Sequence, residues 1–322
     1  MRAFLTATLI LVPGSALAQV PDAIQVPEIA QVSEIAQVPE TETIQVPETG
    51  FLNRQITVDG TDYDYQVYIP QDYQPTEEWP VILFLHGTDE VGDAGLRQTQ
   101  AGLGSAIRNN PERWPTIAIF PQLPVEADLI WRDVTGQMAM DALDATMEEF
   151  NVDDSRIYLT GISLGGEGTW YLGHKHPERF AALVPIAGYV EAMDGFDSFI
   201  PASSPNIYED VAEQVQTLPV WIFHGDKDKV VRVEESRLMY DALSSVNADV
   251  HYSELIGVEH NSWDMAYADA ELPKWLLAQD RDQTAKASPR GPMMIRNSSF
   301  DPSPPLLRAL SLFWNRMASI LQ

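Results

Sequence analysis

The run Gly161-Ile162-Ser163-Leu164-Gly165-Gly166 sets a serine hydroxyl among glycines, one of the patterns by which a chain turns serine into a nucleophile. G-x-S-x-G alone is common, and a glycine-rich packing turn is the competing reading. Its neighbours decide between them. Ile157-Tyr158-Leu159-Thr160 reads as a strand and Gly168 to Leu172 as a helix start. That strand–turn–helix holds the serine in a strained conformation, and small neighbours let strand and helix approach. The new helix also brings its positive dipole end to where an oxyanion would form.

A serine hydroxyl is a poor nucleophile until a base takes its proton. Of six histidines, His86 and His224 each precede a glycine at a strand end, His251 lies in a strand, and His174 and His176 follow the turn's helix. His260 sits in a loop after the last expected strand, and it is expected to be the base. Behind a serine on such a turn the chain order is acid, then histidine, so the acid is expected beyond the strand Val220 to His224. Asp226 and Asp228 both stand there. Asp228 is favoured because it lies further out, where the loop can fold over the base and fix its tautomer. The backbone N–H groups of Leu164 and Thr88 are the expected oxyanion donors. His86 is expected to be structural, and Gln122 and Trp131 are pocket candidates, although Trp131 equally fits a core aromatic.

These residues need a scaffold. Asn53 to Val58 and Tyr63 to Ile69 flank Asp59-Gly60 and read as a hairpin. Six further apolar runs follow, at Val81 to Leu85, Thr116 to Phe120, Arg156 to Thr160, Ala181 to Ile186, Val220 to His224 and Val250 to Leu255. Helical patterns intervene, such as Met140, Leu143, Met147 and Phe150, whose spacing is that of a core-facing stripe. Asp154 and Ser155 read as the turn into the next strand, and a last helix is expected from about Ser262 to near Gln279. Strands alternating with helices imply a mostly parallel, eight-stranded, doubly wound sheet flanked by helices.

The termini differ from this body. Arg2, the apolar run Ala3 to Val12 and Ala16-Leu17-Ala18 form an export signal over residues 1–18. The run is too short to span a bilayer, which needs about 20 apolar residues. Residues 19–50 repeat Gln-Val-Pro-Glu and its variants, with six acidic and no basic side chains; repeated proline makes this an extended spacer. Residues 281–322 carry six basic and two acidic side chains. There Ser303-Pro304-Pro305 is expected to open a helix with Leu306, Leu310, Phe313, Met317 and Leu321 on one face. Docking on its own domain, a partner contact and a membrane surface are the three readings of that helix. The net charge of −27 argues against nucleic acid, and the lack of cysteine excludes disulfides and thiolate chemistry.

Leu83-Phe84-Leu85-His86-Gly87, Phe120-Pro121-Gln122, Tyr158 to Gly166, Phe223-His224-Gly225 with Asp228, and Gly257-Val258-Glu259-His260-Asn261-Ser262-Trp263-Asp264 together resemble one family. They are similar to the esterase and predicted-peptidase branch of the α/β-hydrolases, near dienelactone hydrolases, phospholipase/carboxylesterases and polyhydroxybutyrate-depolymerase-like feruloyl esterases. The resemblance covers about Leu52 to Gln279, and a catalytic domain is expected over residues 51–280. It implies Ser163, Asp228 and His260 as a triad acting on esters, small or polymer-derived, with no metal or organic cofactor. One departure is Thr88-Asp89-Glu90-Val91-Gly92, where the family usually has Ala-Gly-Glu-x-Gly. A prolyl-oligopeptidase-like serine peptidase is the alternative, and a non-catalytic binding module on the same fold is the second. Esters are expected over peptides because about 50 low-complexity residues, and no large gating domain, precede the first strand. Glu191 to Gln216 is expected to form a small cap, with Phe196, Phe199, Ile200 and Tyr208 as possible pocket walls.

Overall fold

The computed structural model describes residues 47–93, 95–125, 130–193, 197–284 and 291–297. The export signal, nearly all of the spacer, Phe196 and the amphipathic C-terminal pattern lie outside these residues.

The chain opens with a hairpin of β1 (Gly50–Val58) and β2 (Thr61–Ile69). Asp59 and Gly60 turn it with φ values of 50° and 81°, the positive pair a tight hairpin of matching twist requires. There follow β3 (Trp79–Leu85), α1 (Gly102–Asn109), β4 (Ile117–Pro121), α2 (Asp133–Glu149), β5 (Val152–Ile162), α3 (Leu164–Lys175) and β6 (Ala182–Ile186). The second half adds α4 (Ile207–Val215), β7 (Val220–Gly225), α5 (Val233–Ser245), β8 (Val250–Leu255), α6 (Trp263–Ala268), α7 (Glu271–Leu277), α8 (Arg281–Thr284) and β9 (Met293–Asn297).

The strands form one sheet in the order β1-β2-β4-β3-β5-β6-β7-β8-β9. β1 with β2 and β2 with β4 are antiparallel, and every later pairing is parallel. Alternation along β3 shows how the sheet divides the core. Val81, Leu83 and Leu85 face one cluster with residues of α2, α3, α4 and α5, while Ile82 and Phe84 face another with residues of α1, α6 and α7. Both faces are therefore covered, as a doubly wound parallel sheet demands. A fully buried side chain such as Leu83 or Phe84 contributes roughly 1.5–3 kcal/mol relative to exposure.

The structure departs from expectation in four places. A ninth strand joins the eight expected ones, because β9, from the basic extension, pairs parallel with β8 from His251↔Met293 to Leu255↔Asn297. The sheet-bearing body therefore reaches beyond residue 280. Asp154 and Ser155 lie inside β5 rather than in a turn. The single last helix is two, α6 and α7, because Pro273 has no N–H to donate to the Asp269 carbonyl and its ring crowds that group. Finally, the cap residues pack downwards. Phe199 contacts Tyr171 and His174 of α3, Ile200 is buried, and Tyr208 bonds Glu235 of α5, so none of the three is a free pocket wall.

Candidate active site

Ser163 stands between β5 and α3 with φ 53° and ψ −114°, a conformation that side-chain-bearing residues rarely adopt and that persists only when its surroundings enforce it. Its N–H donates to Ile186 O across the sheet at 2.9 Å. Gly161 and Gly165 permit the crossing. A Cβ on Gly165 would fall 1.9 Å from Leu85 O, and one on Gly161 would fall 2.1 Å from Gly165 O, distances no side chain survives.

The structure brings Ser163, His260 and Asp228 into one line. Ser163 Oγ lies 2.8 Å from His260 Nε2, and His260 Nδ1 lies 2.7 Å from Asp228 Oδ2. A carboxylate only accepts, so Nδ1 carries the proton and Nε2 is left to accept the serine O–H. The Asp228 side chain is wholly buried, whereas His260 keeps 21% exposure. Burial alone would raise the Asp228 pKa, but hydrogen bonds from His224, His260 and the Val230 amide outweigh it and hold the carboxyl well below its ordinary range. Asp226 lies elsewhere. It accepts the Gly257 N–H at 2.6 Å and ties the loop after β7 to the turn after β8. Trp263 meets the His260 ring edge-on at 5.2 Å.

Leu164 and Thr88 each open a helical turn, α3 and the 3-10 turn Thr88–Glu90. First-turn N–H groups have no acceptor inside their own helix, so they are free to face an anion. The preceding Gly87 N–H is already engaged by Glu90 Oε2 at 3.1 Å. Thr88 and Asp89, where the chain departs from the family pattern, have exposed side chains.

His86, Gln122 and Trp131 form the support behind that loop. His86 is fully buried, its Nδ1 lies 2.7 Å from Gly87 O, and its Nε2 accepts the Leu123 N–H at 3.0 Å. Burial lowers its pKa to about 4, which keeps the ring neutral. Gln122 is 3% exposed and donates to Glu90 O at 2.8 Å, while fully buried Trp131 donates to His86 O at 3.0 Å. The pocket role expected of Gln122 and Trp131 is thus corrected. Both face inward and hold the loop by its carbonyls.

Two features escaped the sequence. Arg132, at the start of α2, reaches Glu167 on α3 with Nε and Nη2 at 2.8 and 2.7 Å from the same oxygen, Oε1. Burial pushes Glu167 up to about 7 despite that guanidinium. His224 lies 3.2 Å from Asp228, and its only sequence signal was the Phe223-His224-Gly225 run. A groove of about 530 Å³ is lined by Ile256, Val258, Glu259, Asn261 and Met265 among others, the residues on either side of His260 in the chain. Among the described residues no three His, Asp or Glu side chains stand together as a metal site.

Residues 128–278 match the prolyl oligopeptidase family. Among curated proteins the chain is similar to the bifunctional acetylxylan esterase/xylanase of Neocallimastix patriciarum, with 26% identity over 55% of this chain and 23% of that one. It is also similar to acyl-protein thioesterase 1 homolog 2 of Dictyostelium discoideum, with 24% identity over 56% of this chain and 85% of that one. The match thus spans under a quarter of the first relative's length. Of solved structures, a thermostable esterase superposes with a TM-score of 0.62 at 26% identity, covering 72% of this chain and 63% of the other.

Proposed function

We propose that this chain, which has the α/β-hydrolase fold, is an exported serine hydrolase that cleaves carboxylic esters through an acyl-enzyme. The observation that carries the reading is the hydroxyl of strained Ser163 at 2.8 Å from an imidazole whose far nitrogen is held by a buried carboxylate. His260 Nε2 takes the Ser163 proton as Oγ bonds the ester carbonyl carbon. The Leu164 and Thr88 N–H groups receive the oxyanion, and the imidazolium returns its proton to the departing alcohol. Water then enters by the same steps, with His260 taking its proton, and the acid and free Ser163 are released.

The groove beside Glu259 and Asn261 is the proposed seat of the non-reacting part of the ester, since the chain neighbours of His260 line it and it offers apolar Ile256, Val258 and Met265. The names of the relatives support an ester or thioester substrate, including esters on plant polymers. The match to the prolyl oligopeptidase family favours a second reading, a serine peptidase. Comparing kcat/KM for an ester and an amide with the same acyl group separates the two. Short-acyl nitrophenyl esters should turn over and the matched anilide should not; equal or better amide turnover would establish the peptidase. Export rests on residues 1–18 and on similarity to an uncharacterized secreted protein of Arthroderma benhamiae. The secreted protein should begin at Gln19 by mass spectrometry, and recovery of soluble protein still starting at Met1 would refute export.

A further inference from the structure

We infer that His224 is a positioning residue for the acid of the proposed triad, its Nε2–H fixing Asp228 Oδ2 where that oxygen receives His260. The inference rests on the reading of Asp228 and His260 as acid and base. His224 is the penultimate residue of β7. The turn that follows, closed by the Asp228 N–H on Gly225 O at 3.2 Å, folds the carboxylate back against the imidazole. The ring is fully buried. Its Nε2 lies 3.2 Å from Asp228 Oδ2 and 3.1 Å from Val231 O, and its Nδ1 lies 2.7 Å from Ser236 Oγ on α5.

The partners settle where the proton sits. A carbonyl and a carboxylate only accept, so Nε2 must carry hydrogen; otherwise its lone pair would face two oxygens in a buried site. Nδ1 meets the Ser236 hydroxyl, which can donate to it or accept from it, so both ring nitrogens have partners. Asp228 in turn is saturated. Oδ1 accepts the N–H groups of Val230 at 2.8 Å and Val231 at 2.9 Å, and Oδ2 accepts the His260 Nδ1–H and lies 3.2 Å from His224 Nε2, whose one N–H it shares with Val231 O. A carboxylate offers about four lone-pair sites, so no rotation of the group is free of cost, and the aim of Oδ2 at His260 is fixed. Among the described residues, the nearby charges are engaged elsewhere. Lys227 and Lys229 on the same loop are exposed and pair with Asp226 and Glu259. On α5, Glu235 accepts the Val190 and Glu191 N–H groups, and Arg232 just before it pairs with Glu191.

The test compares full-length His224→Leu, His224→Gln and Ser236→Ala with the parent protein. Unfolding midpoints establish folding, fluorophosphonate labelling counts working sites, and kcat/KM for a nitrophenyl ester is followed against pH. His224→Leu should lose about ten- to a hundredfold in rate per labelled site, the worth of one hydrogen bond to a charged group. Its acid limb should move to higher pH, because a carboxylate with one donor fewer favours the imidazolium form of the base. Gln carries an N–H to the same place and should restore most of the rate. Ser236→Ala, which frees the ring to turn, should shift the limb the same way by less. A folded His224→Leu protein with parental rate per site and an unmoved limb would overturn the inference. If His224→Leu does not fold, Ser236→Ala is read by the same two criteria. Loss of the hydrolase reading itself would show differently, as a parent protein that takes up no label.

Discussion

Asp228 and Glu167 are both carboxylates with wholly buried side chains near the Ser163 turn, yet the protein shifts their pKa values in opposite directions. Asp228 gathers three donors over its two oxygens, with His224 Nε2 3.2 Å away, and its carboxyl is held well below the ordinary range. Glu167 receives Arg132 on one oxygen only. Its Oε2 has no partner among the described residues, nor has the Tyr189 hydroxyl nearby, and burial pushes Glu167 up to about 7. Neither side chain reaches solvent, but Glu167 sits deeper than Asp228, so stronger desolvation and fewer donors together set the opposite directions of their shifts. One site is organised to stabilise an imidazolium, and the other ties α2 to α3 while Arg132 also grips Asp197 O at 2.7 Å.

The sharpest way to break the comparison is to neutralise the first carboxylate. Asp228→Asn should lower kcat by about four orders of magnitude by disturbing the tautomer of His260, while Asp226→Asn, which loses only its grip on Gly257, should cost little. A crippled Asp226→Asn enzyme beside an active Asp228→Asn one would reverse the assignment. Next in size is the second site. Arg132→Met should cost about 3–5 kcal/mol by urea unfolding above pH 7, where Glu167 is ionised and is left without a cation, and less below it. Glu167→Gln should cost less, and removing both charges together should cost less than Arg132→Met alone. A double-variant cost equal to the sum of the two single costs would show that the pair is not coupled.

The smallest effect is in the pH dependence of stability. Glu167, raised from 4.5 to about 7, holds a proton in the folded state that the unfolded chain has released, so its contribution falls as pH rises between those values. His86, lowered from 6.5 to about 4, does the reverse, since the unfolded chain takes the proton first and stability rises with pH across that window. The two slopes oppose each other in the parent protein. Glu167→Gln should therefore make the unfolding midpoint climb more steeply from pH 4 to 6.5, and an unchanged slope would contradict the raised value.

What the sequence disclosed follows the same division. Features set by neighbours along the chain were legible. The glycines around Ser163, the Asp59-Gly60 hairpin and the apolar runs of β3 to β8 each state a local backbone requirement. The chain order of serine, acid and histidine picked out Asp228 and His260, which the structure brings to Ser163. Features set by distant packing were not. Met293-Met294-Ile295 is too short an apolar run to announce β9, which exists because β8 offers an unpaired edge. Gln122 and Trp131 follow a strand and looked like pocket residues, but only the fold of the His86 loop decides that they face inward. The Arg132–Glu167 pair joins residues 35 apart with no shared motif, and Pro273 divides the expected last helix into α6 and α7.

The central claim is that Ser163 is the nucleophile, and the most direct measurement is to label the protein with a fluorophosphonate, map the modified peptide and assay a Ser163→Ala preparation on the same ester. The label should sit on Ser163 in step with loss of hydrolysis, and Ser163→Ala should fold normally with kcat lower by about six orders of magnitude. A label on another residue, or near-parental hydrolysis by clean Ser163→Ala protein, would contradict it.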